Sequence, residues 1–399
     1  MRPRWRESVT MWAAAISIIA FITVITLLVA AHEYGHYLFA RLFRMEVEEF
    51  AIGLGRPILL RRPSKSAGEF TIRAWPVGGF VRIKGMEPQE DGSEVNIPNG
   101  FYSRGPWSRF WVLLAGPLFS LAAGILILAG VFAATGVNRP LNEPVIGMIV
   151  EQGAAFKAGV RLNDRVLSVD SQPVNTFYEL VAAVRDRPGE ELEFVVDRGG
   201  ERQVFRVTPE RDTEPTAVLG PDLFPTMESK VQGKIGAQWG HKKVRLGPIE
   251  SVVEATLYPV KMVEGLFGMA KNPNRIKTEG GGPISIFMLI SATVQQGLTE
   301  ALTFAGLLSM SLGIFNLLPI PPLDGGQMSI AFVEILRGGR RLKFAVQTWV
   351  HSIGLVLVLV MVLGFVGLDF SRLLGPKKQI TVHSASEKKP SEPPAERAR

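Results

Sequence analysis

The sequence contains no cysteine. That absence excludes disulfides, thiolate-held zinc and a cysteine nucleophile, so any bound metal must be held by histidine or carboxylate side chains. A second absence is local. Charged residues make up 20% of the chain, yet residues 8–31, 110–138, 301–323 and 344–368 contain no Asp, Glu, Lys or Arg. Each run exceeds the roughly 20 residues a helix needs to cross a ~30 Å hydrocarbon core. Four such runs, all flanked by charge, read as the spans of a polytopic α-helical membrane protein and not as buried helices of a soluble one. No small-residue cleavage site follows the first run, although Arg2, Arg4 and Arg6 precede it, so it reads as a retained span and not as a signal peptide.

The net charge of +7 does not point to nucleic acid, because the basic residues cluster beside the spans. Arg41, Arg44, Arg56, Arg61 and Arg62 follow the first span, and Arg337, Arg340, Arg341 and Lys343 lie between the third and fourth. Such clusters fit a cytoplasmic membrane surface and a lipid bilayer partner. Loop 41–109 is then cytoplasmic, and the region 140–300 lies on the opposite side.

The spans order the rest of the chain. The first transmembrane helix is expected over 8–40, the second over 110–138, the third over 301–335 and the fourth over 344–368. Within loop 41–109, residues 69–86 alternate and carry Gly78-Gly79 in their middle, which predicts a β-hairpin pressed against or into the membrane. Residues 140–210 read as one small domain of short strands with a helix near 176–186. The remainder, 211–300, reads as a linker containing an amphipathic helix at 248–270 and a short apolar interfacial segment. Residues 376–399, rich in Lys, Glu, Ser and Pro, are expected to be disordered.

Chemistry concentrates at His32-Glu33-Tyr34-Gly35-His36, an H-E-x-x-H pattern. Residues four apart share one face of a helix, so both imidazoles can grip one zinc ion, with Glu33 placed to deprotonate a water. The motif ends an apolar span, where two imidazoles and a carboxylate are costly unless used. Zinc enzymes take three protein ligands and keep one position open. Asp324 directly follows the third charge-free run, after prolines 319, 321 and 322 that break the helix. It reads either as the third ligand or as the cap of a helix beginning near Gln327; beside an incomplete H-E-x-x-H the ligand reading is the better one.

These motifs resemble those of the site-2 protease family of intramembrane metalloproteases, in its bacterial, PDZ-containing branch that includes the regulator of sigma-E protease. The match is to H-E-x-G-H in the first span and to N-x-x-P-x-P-x-L-D-G, which opens at Asn316. It extends to 49–55, to 76–81, to Ala115-Gly116-Pro117 and to Gly282-Pro283-Ile284, in family order over residues 20–368. The resemblance implies that His32, His36 and Asp324 hold one Zn2+ and that Glu33 activates water. It implies that Asn316 holds the substrate backbone, and that Gly78, Gly79, Phe80 and Val81 pair with an unwound substrate. The substrates would be single-span membrane proteins cleaved within or near the membrane, as in anti-sigma factor cleavage, at a bacterial cytoplasmic membrane. One departure stands out: the family's second span carries Asn three residues after Gly-Pro, where this chain has Ser120.

Residues 140–210 also resemble a PDZ domain, which would be extracytoplasmic. Its peptide-accepting edge would be Ile146, Gly147, Met148 and Ile149, receiving an extracytoplasmic peptide or a trimmed substrate end by strand addition. A purely steric filter is the other reading of that domain. For the whole chain the alternative is a non-catalytic membrane scaffold that binds envelope proteins. Glu33 discriminates, because a scaffold has no use for it.

Overall fold

The computed structural model describes residues 4–64, 68–141, 143–212, 216–219, 225–271, 275–277, 280–374 and 382–384. The chain divides into two compact units, residues 1–135, 246–263 and 281–374 in the first and residues 136–245, 264–280 and 375–399 in the second.

The first unit holds the long apolar helices. They are α1 (Arg4–Leu42) and α2 (Pro106–Thr135) and, after the shorter α3 (Ala154–Lys157) and α4 (Phe177–Arg185) of the second unit and the connecting α5 (Pro248–Lys271), α6 (Pro283–Gln296), α7 (Leu298–Asn316), α8 (Asp324–Leu336) and α9 (Phe344–Leu374). Among the described residues, four segments are long and apolar enough to cross a membrane: Ala14–Leu42, Pro106–Thr135, Leu298–Asn316 and Phe344–Leu374. The central one is α2, packed against α1, α7 and α8. Lipid supplies no hydrophobic drive between helices, so close approach through small residues does that work. Accordingly the backbone of α2 at Gly124 lies directly against Gly306 and Met310 of α7.

The third span is shorter than the expected 301–335. α7 ends at Asn316, the chain turns irregularly through 317–323, and α8 starts afresh at Asp324. The three prolines explain the break, since they lack the N–H a helix needs and restrict the residues before them.

Between α1 and α2 lie β1 (Val47–Ser64) and β2 (Gly68–Ile83). Their pairing corrects the expected 69–86 hairpin. Residues 49–52 of β1 have partners on both sides: Arg82, Val81, Phe80 and Gly79 on one, Glu69, Phe70, Thr71 and Ile72 on the other. The two halves of 69–86 therefore flank β1 and do not pair with each other. Residues 69–72 run parallel to 49–52 and residues 79–82 antiparallel to them, so β2 reverses direction between Ile72 and Gly79, a stretch that holds Gly78 at φ +82°. The Pro76 carbonyl at the reversal accepts from Thr26 Oγ1 at 2.5 Å, so this reversal sits beside the apolar stretch of α1. Buried Glu49 locks the sheet by accepting from Thr71 Oγ1 at 2.6 Å and Arg73 Nη2 at 2.5 Å. Burial works to raise the Glu49 carboxyl, but these hydrogen bonds and the Arg73 charge hold it below its usual range.

A buried ion pair fixes α8. Arg109 Nη2 of α2 lies 2.6 Å from Glu334 Oε2, and Glu334 Oε1 accepts from the Leu342 N–H at 3.0 Å. Nearby, Arg341 bonds Glu94 at 2.6 Å, and both arginines stack over the Tyr102 ring. Removing one partner of such a buried pair costs about 3–5 kcal/mol, so Arg109 and Glu334 hold α8 to α2, while Arg341 and Glu94 tie the α8–α9 connection to the loop before α2.

The second unit is mostly strand: β3 (Val137–Pro140), β4 (Ile146–Val150), β5 (Arg165–Val169), β6 (Gln172–Pro173), β7 (Leu192–Arg198), β8 (Glu201–Val207), β9 (Glu210–Arg211), β10 (Thr216–Leu219), β11 (Pro225–Lys230), β12 (Gly233–Lys234), β13 (Ala237–Trp239), β14 (His241–Val244) and β15 (Val382–Ser384). Its largest sheet has the order β6-β5-β7-β8. Leu192, Phe194 and Val196 of β7 point into the core with period two, and Phe177, Leu180 and Val184 of α4 meet them with helical spacing. Thr176 caps α4 by accepting from the Glu179 N–H at 3.1 Å. The expected boundary at 210 is corrected. β9 pairs with β12, β13 with β4 and β14 with β3, so residues 211–244 build this unit and are not a linker. The expected disorder of 376–399 is corrected at Val382–Ser384, a strand on β4; the other residues of that stretch lie outside the described residues.

Candidate metal centre

α1 carries His32 and His36 one turn apart, and α2 supplies what orients them. His36 Nδ1 donates to the Val112 carbonyl at 2.8 Å. A carbonyl only accepts, so Nδ1 carries the proton and Nε2 keeps its lone pair. His32 Nδ1 meets Ser120 Oγ at 2.9 Å, and the Ser120 carbonyl in turn accepts from Ser309 Oγ of α7 at 2.8 Å. Both rings are thus held from behind and direct Nε2 to one point.

Asp324 reaches that point from the turn that ends α7. It is the first residue of α8, yet its side chain does not cap the helix. His32 Nε2 lies 2.9 Å from Asp324 Oδ2, His36 Nε2 lies 3.4 Å from the same oxygen, and the two Nε2 atoms are 3.2 Å apart. His32, His36 and Asp324 form the group of described residues that could hold a metal ion. Zinc bonds of about 2.0–2.1 Å in a tetrahedron need donor–donor edges of about 3.3 Å, and two nitrogens with one carboxylate oxygen suit that ion. The three edges here fit.

The space for an ion depends on Gly116. A Cβ at that position would lie 2.2 Å from His36 Nε2 and 2.8 Å from His32 Nε2. Gly35, between the two histidines, allows the close approach of α1 and α2: its Cβ would meet the Ala115 carbonyl at 2.4 Å. Glu33 stands beside the cluster and accepts a hydrogen bond from the Val81 N–H.

A cavity of about 350 Å³ opens onto these groups, with Glu33, His36, Phe80, Val81, Asn316 and Asp324 in its wall. Of the expected substrate-binding residues, Phe80, Val81 and Asn316 line it directly. The Asn316 amide donates to the Leu312 carbonyl of its own helix at 3.0 Å. Gly79 lies behind Glu33, and Gly78 is turned toward Leu54, away from the cluster. Ile146, Gly147, Met148 and Ile149 belong to β4 of the second unit, where the strand has a neighbour on each side.

The Val112 carbonyl has no signature in a sequence, because every residue carries one. Gly116 sits in the Ala115-Gly116-Pro117 match, but its contact with the imidazoles needs the fold. Ser120 fills the place where the resemblance expects Asn, and it takes the position behind His32. Replacing it tests that role: Ser120→Ala is expected to weaken zinc binding about 10–100-fold, as loss of an orienting partner does. Competition with a chromogenic chelator measures it, and unchanged affinity would show that the His32 ring is held by packing alone.

The sequence matches the model described as Peptidase family M50 over residues 20–361. A protein named as a zinc metalloprotease in Rhizobium meliloti is 32% identical over 372 residues, covering 89% of this chain and 96% of its own. Another in Brucella suis biovar 1 is 30% identical over 88% of this chain and 93% of its own. The zinc metalloprotease RasP of Geobacillus kaustophilus is 27% identical over 87% of this chain and 96% of its own.

Proposed function

Because the chain belongs to peptidase family M50, and is therefore a zinc metalloendopeptidase of the site-2 protease type, we propose that it cleaves single-span membrane proteins within or beside their membrane segments. The observation that carries this is the convergence of His32, His36 and Asp324, with Glu33 beside them, on an apolar span next to residues 80–83. A non-catalytic scaffold is set aside by the family membership.

Bound zinc supplies Lewis acidity toward water and toward a peptide carbonyl oxygen. His32, His36 and Asp324 are the residues that hold it. Glu33 takes a proton from the attacking water onto a carboxylate oxygen and delivers it to the departing amide nitrogen. The Val81 N–H steadies that carboxylate. A helical substrate hides its carbonyls in its own hydrogen bonds, so it must be drawn out before cleavage. Residues 79–83 pair with β1 on one side only among the described residues, which leaves the other side able to take an extended chain. A second cavity of about 540 Å³, walled by Phe80, Val81, Arg82 and Ile83, lies along the same strand and supports this track. Asn316, in the opposite wall, is placed to bond the substrate backbone once its amide leaves Leu312.

The chain is a multi-pass membrane protein. The basic residues at 41–44 and 337–343 support a bacterial cytoplasmic membrane with those loops inside and the second unit outside. That unit reads as a PDZ-like domain, with the side of β4 opposite β13 as the place for an extended peptide.

Purified protein in nanodiscs, given a single-span model substrate, is expected to cut inside the span. A zinc chelator should stop the reaction and added zinc restore it. Mass spectrometry that found cuts only in soluble segments would overturn the reading, as would cutting that survives the chelator.

A further inference from the structure

β4 is the middle strand of a three-stranded sheet in the order β13-β4-β15. One neighbour, β13, comes from within the 136–245 fold, with Ala237 opposite Ile149 and Gln238 opposite Met148. The other, β15, comes from the tail beyond the last membrane helix. Val382 lies opposite Val150, His383 opposite Ile149 and Ser384 opposite Met148, antiparallel. The side of β4 on which a strand can be added is therefore already taken, and it is taken by this chain.

Two features outside the pairing agree with it. Residues 375–399 are mostly Lys, Glu, Ser, Pro and Ala, and their β-branched residues are all adjacent: Ile380, Thr381 and Val382. Branched side chains favour strands, so the tail carries its strand-forming patch where β15 begins. The second feature is membrane topology. Two candidate spans, Leu298–Asn316 and Phe344–Leu374, separate the 136–245 region from the tail. An even number of crossings returns the chain to the same face of the membrane, so tail and domain share a compartment.

We infer that residues 382–384 are a resident strand of the β4 edge, and that an extended peptide enters this edge only by displacing them. The inference rests on the reading of β4 as a peptide-accepting edge. It also narrows the partner. Ser384 is not a chain end, since the sequence continues to Arg399, so the edge accepts an internal stretch of backbone and requires no terminal carboxylate. A fitting partner is a short β-branched segment in extended form. The tail has the advantage of its tether: only residues 375–381 separate β15 from α9, and a short linker gives a local concentration of about millimolar.

The test uses the full-length protein in detergent micelles and the double change His383→Pro with Ser384→Pro. Adjacent residues of a strand face opposite ways, so one of the two prolines removes the N–H that faces β4. Two readouts are taken: deuterium uptake over residues 146–150, and binding of a fluorescein-labelled peptide with the sequence of residues 379–386. Uptake is expected to rise in the variant, and the peptide is expected to bind the variant about tenfold tighter than wild type. Unchanged uptake overturns the resident strand. In that case equal peptide binding to both proteins leaves the β4 edge intact as a site, whereas binding to neither removes that reading too. Raised uptake with no gain in peptide binding overturns the displacement.

Discussion

Glu33→Gln protein is expected to retain one zinc ion per chain while its cleavage of a single-span substrate falls by about 10²–10⁴-fold, the usual worth of a general base. The geometry separates the two outcomes. Glu33 is not among the three residues whose donor atoms converge; those are His32, His36 and Asp324. Glutamine has the same shape and keeps an oxygen to accept from the Val81 N–H. What it lacks is the ability to take a proton. Metal content and turnover, measured on one preparation, decide the matter. Turnover within threefold of wild type would remove Glu33 from the mechanism, and loss of zinc would make it part of the metal cluster.

The two halves of the site were unequally legible. His32, Glu33 and His36 lie within five residues, and the helical repeat places both imidazoles on one face, so they could be read directly. Asp324 is 288 positions beyond His36. Its role required a search for a third donor, and the prolines at 319, 321 and 322 marked only that the helix breaks. The structure adds the consequence of that break, a new helix whose first residue points back at α1. Two further groups leave no mark in the sequence because their signals are backbone ones: a carbonyl at Val112 behind His36 and a missing Cβ at Gly116 in front of both rings.

The same distinction runs through the fold. The four spans were visible because excluding charge from a membrane marks the sequence strongly. Strand partners were not. Alternation over 69–86 reveals strands but carries no information about their neighbours, and a reversal near Gly78-Gly79 does not fix whether its two arms pair with each other or with a strand between them. The true partner, residues 49–52, lies about twenty to thirty positions upstream. In the second unit β9, β12, β13 and β14 are two to four residues long. Such pieces show no periodicity, so the sequence carries no sign of the domain beyond 210. β15 was hidden likewise, three residues in a tail whose composition argues for disorder.

Gly116→Ala is expected to abolish zinc binding, and proteolysis with it, without touching a ligand. The added methyl carbon would sit 2.2 Å from His36 Nε2, 2.5 Å from His36 Cε1 and 2.8 Å from His32 Nε2, well inside contact distance. The imidazoles cannot retreat freely, because their Nδ1 atoms are tied to the Val112 carbonyl and Ser120 Oγ on the same helix that carries the methyl. Either the rings rotate and lose those bonds, or the methyl occupies the metal's place. The helix itself should tolerate the change, since alanine favours helix over glycine by about 1 kcal/mol. Gly130→Ala supplies the control: it lies on α2 with no neighbour within 4 Å of its Cβ, and should leave zinc content and activity unchanged. The comparison is read as zinc per chain, with the melting temperature of each variant reporting on folding. A Gly116→Ala protein that is folded, holds a full complement of zinc and cuts normally would mean that the metal is not gripped at the point where these three donors meet.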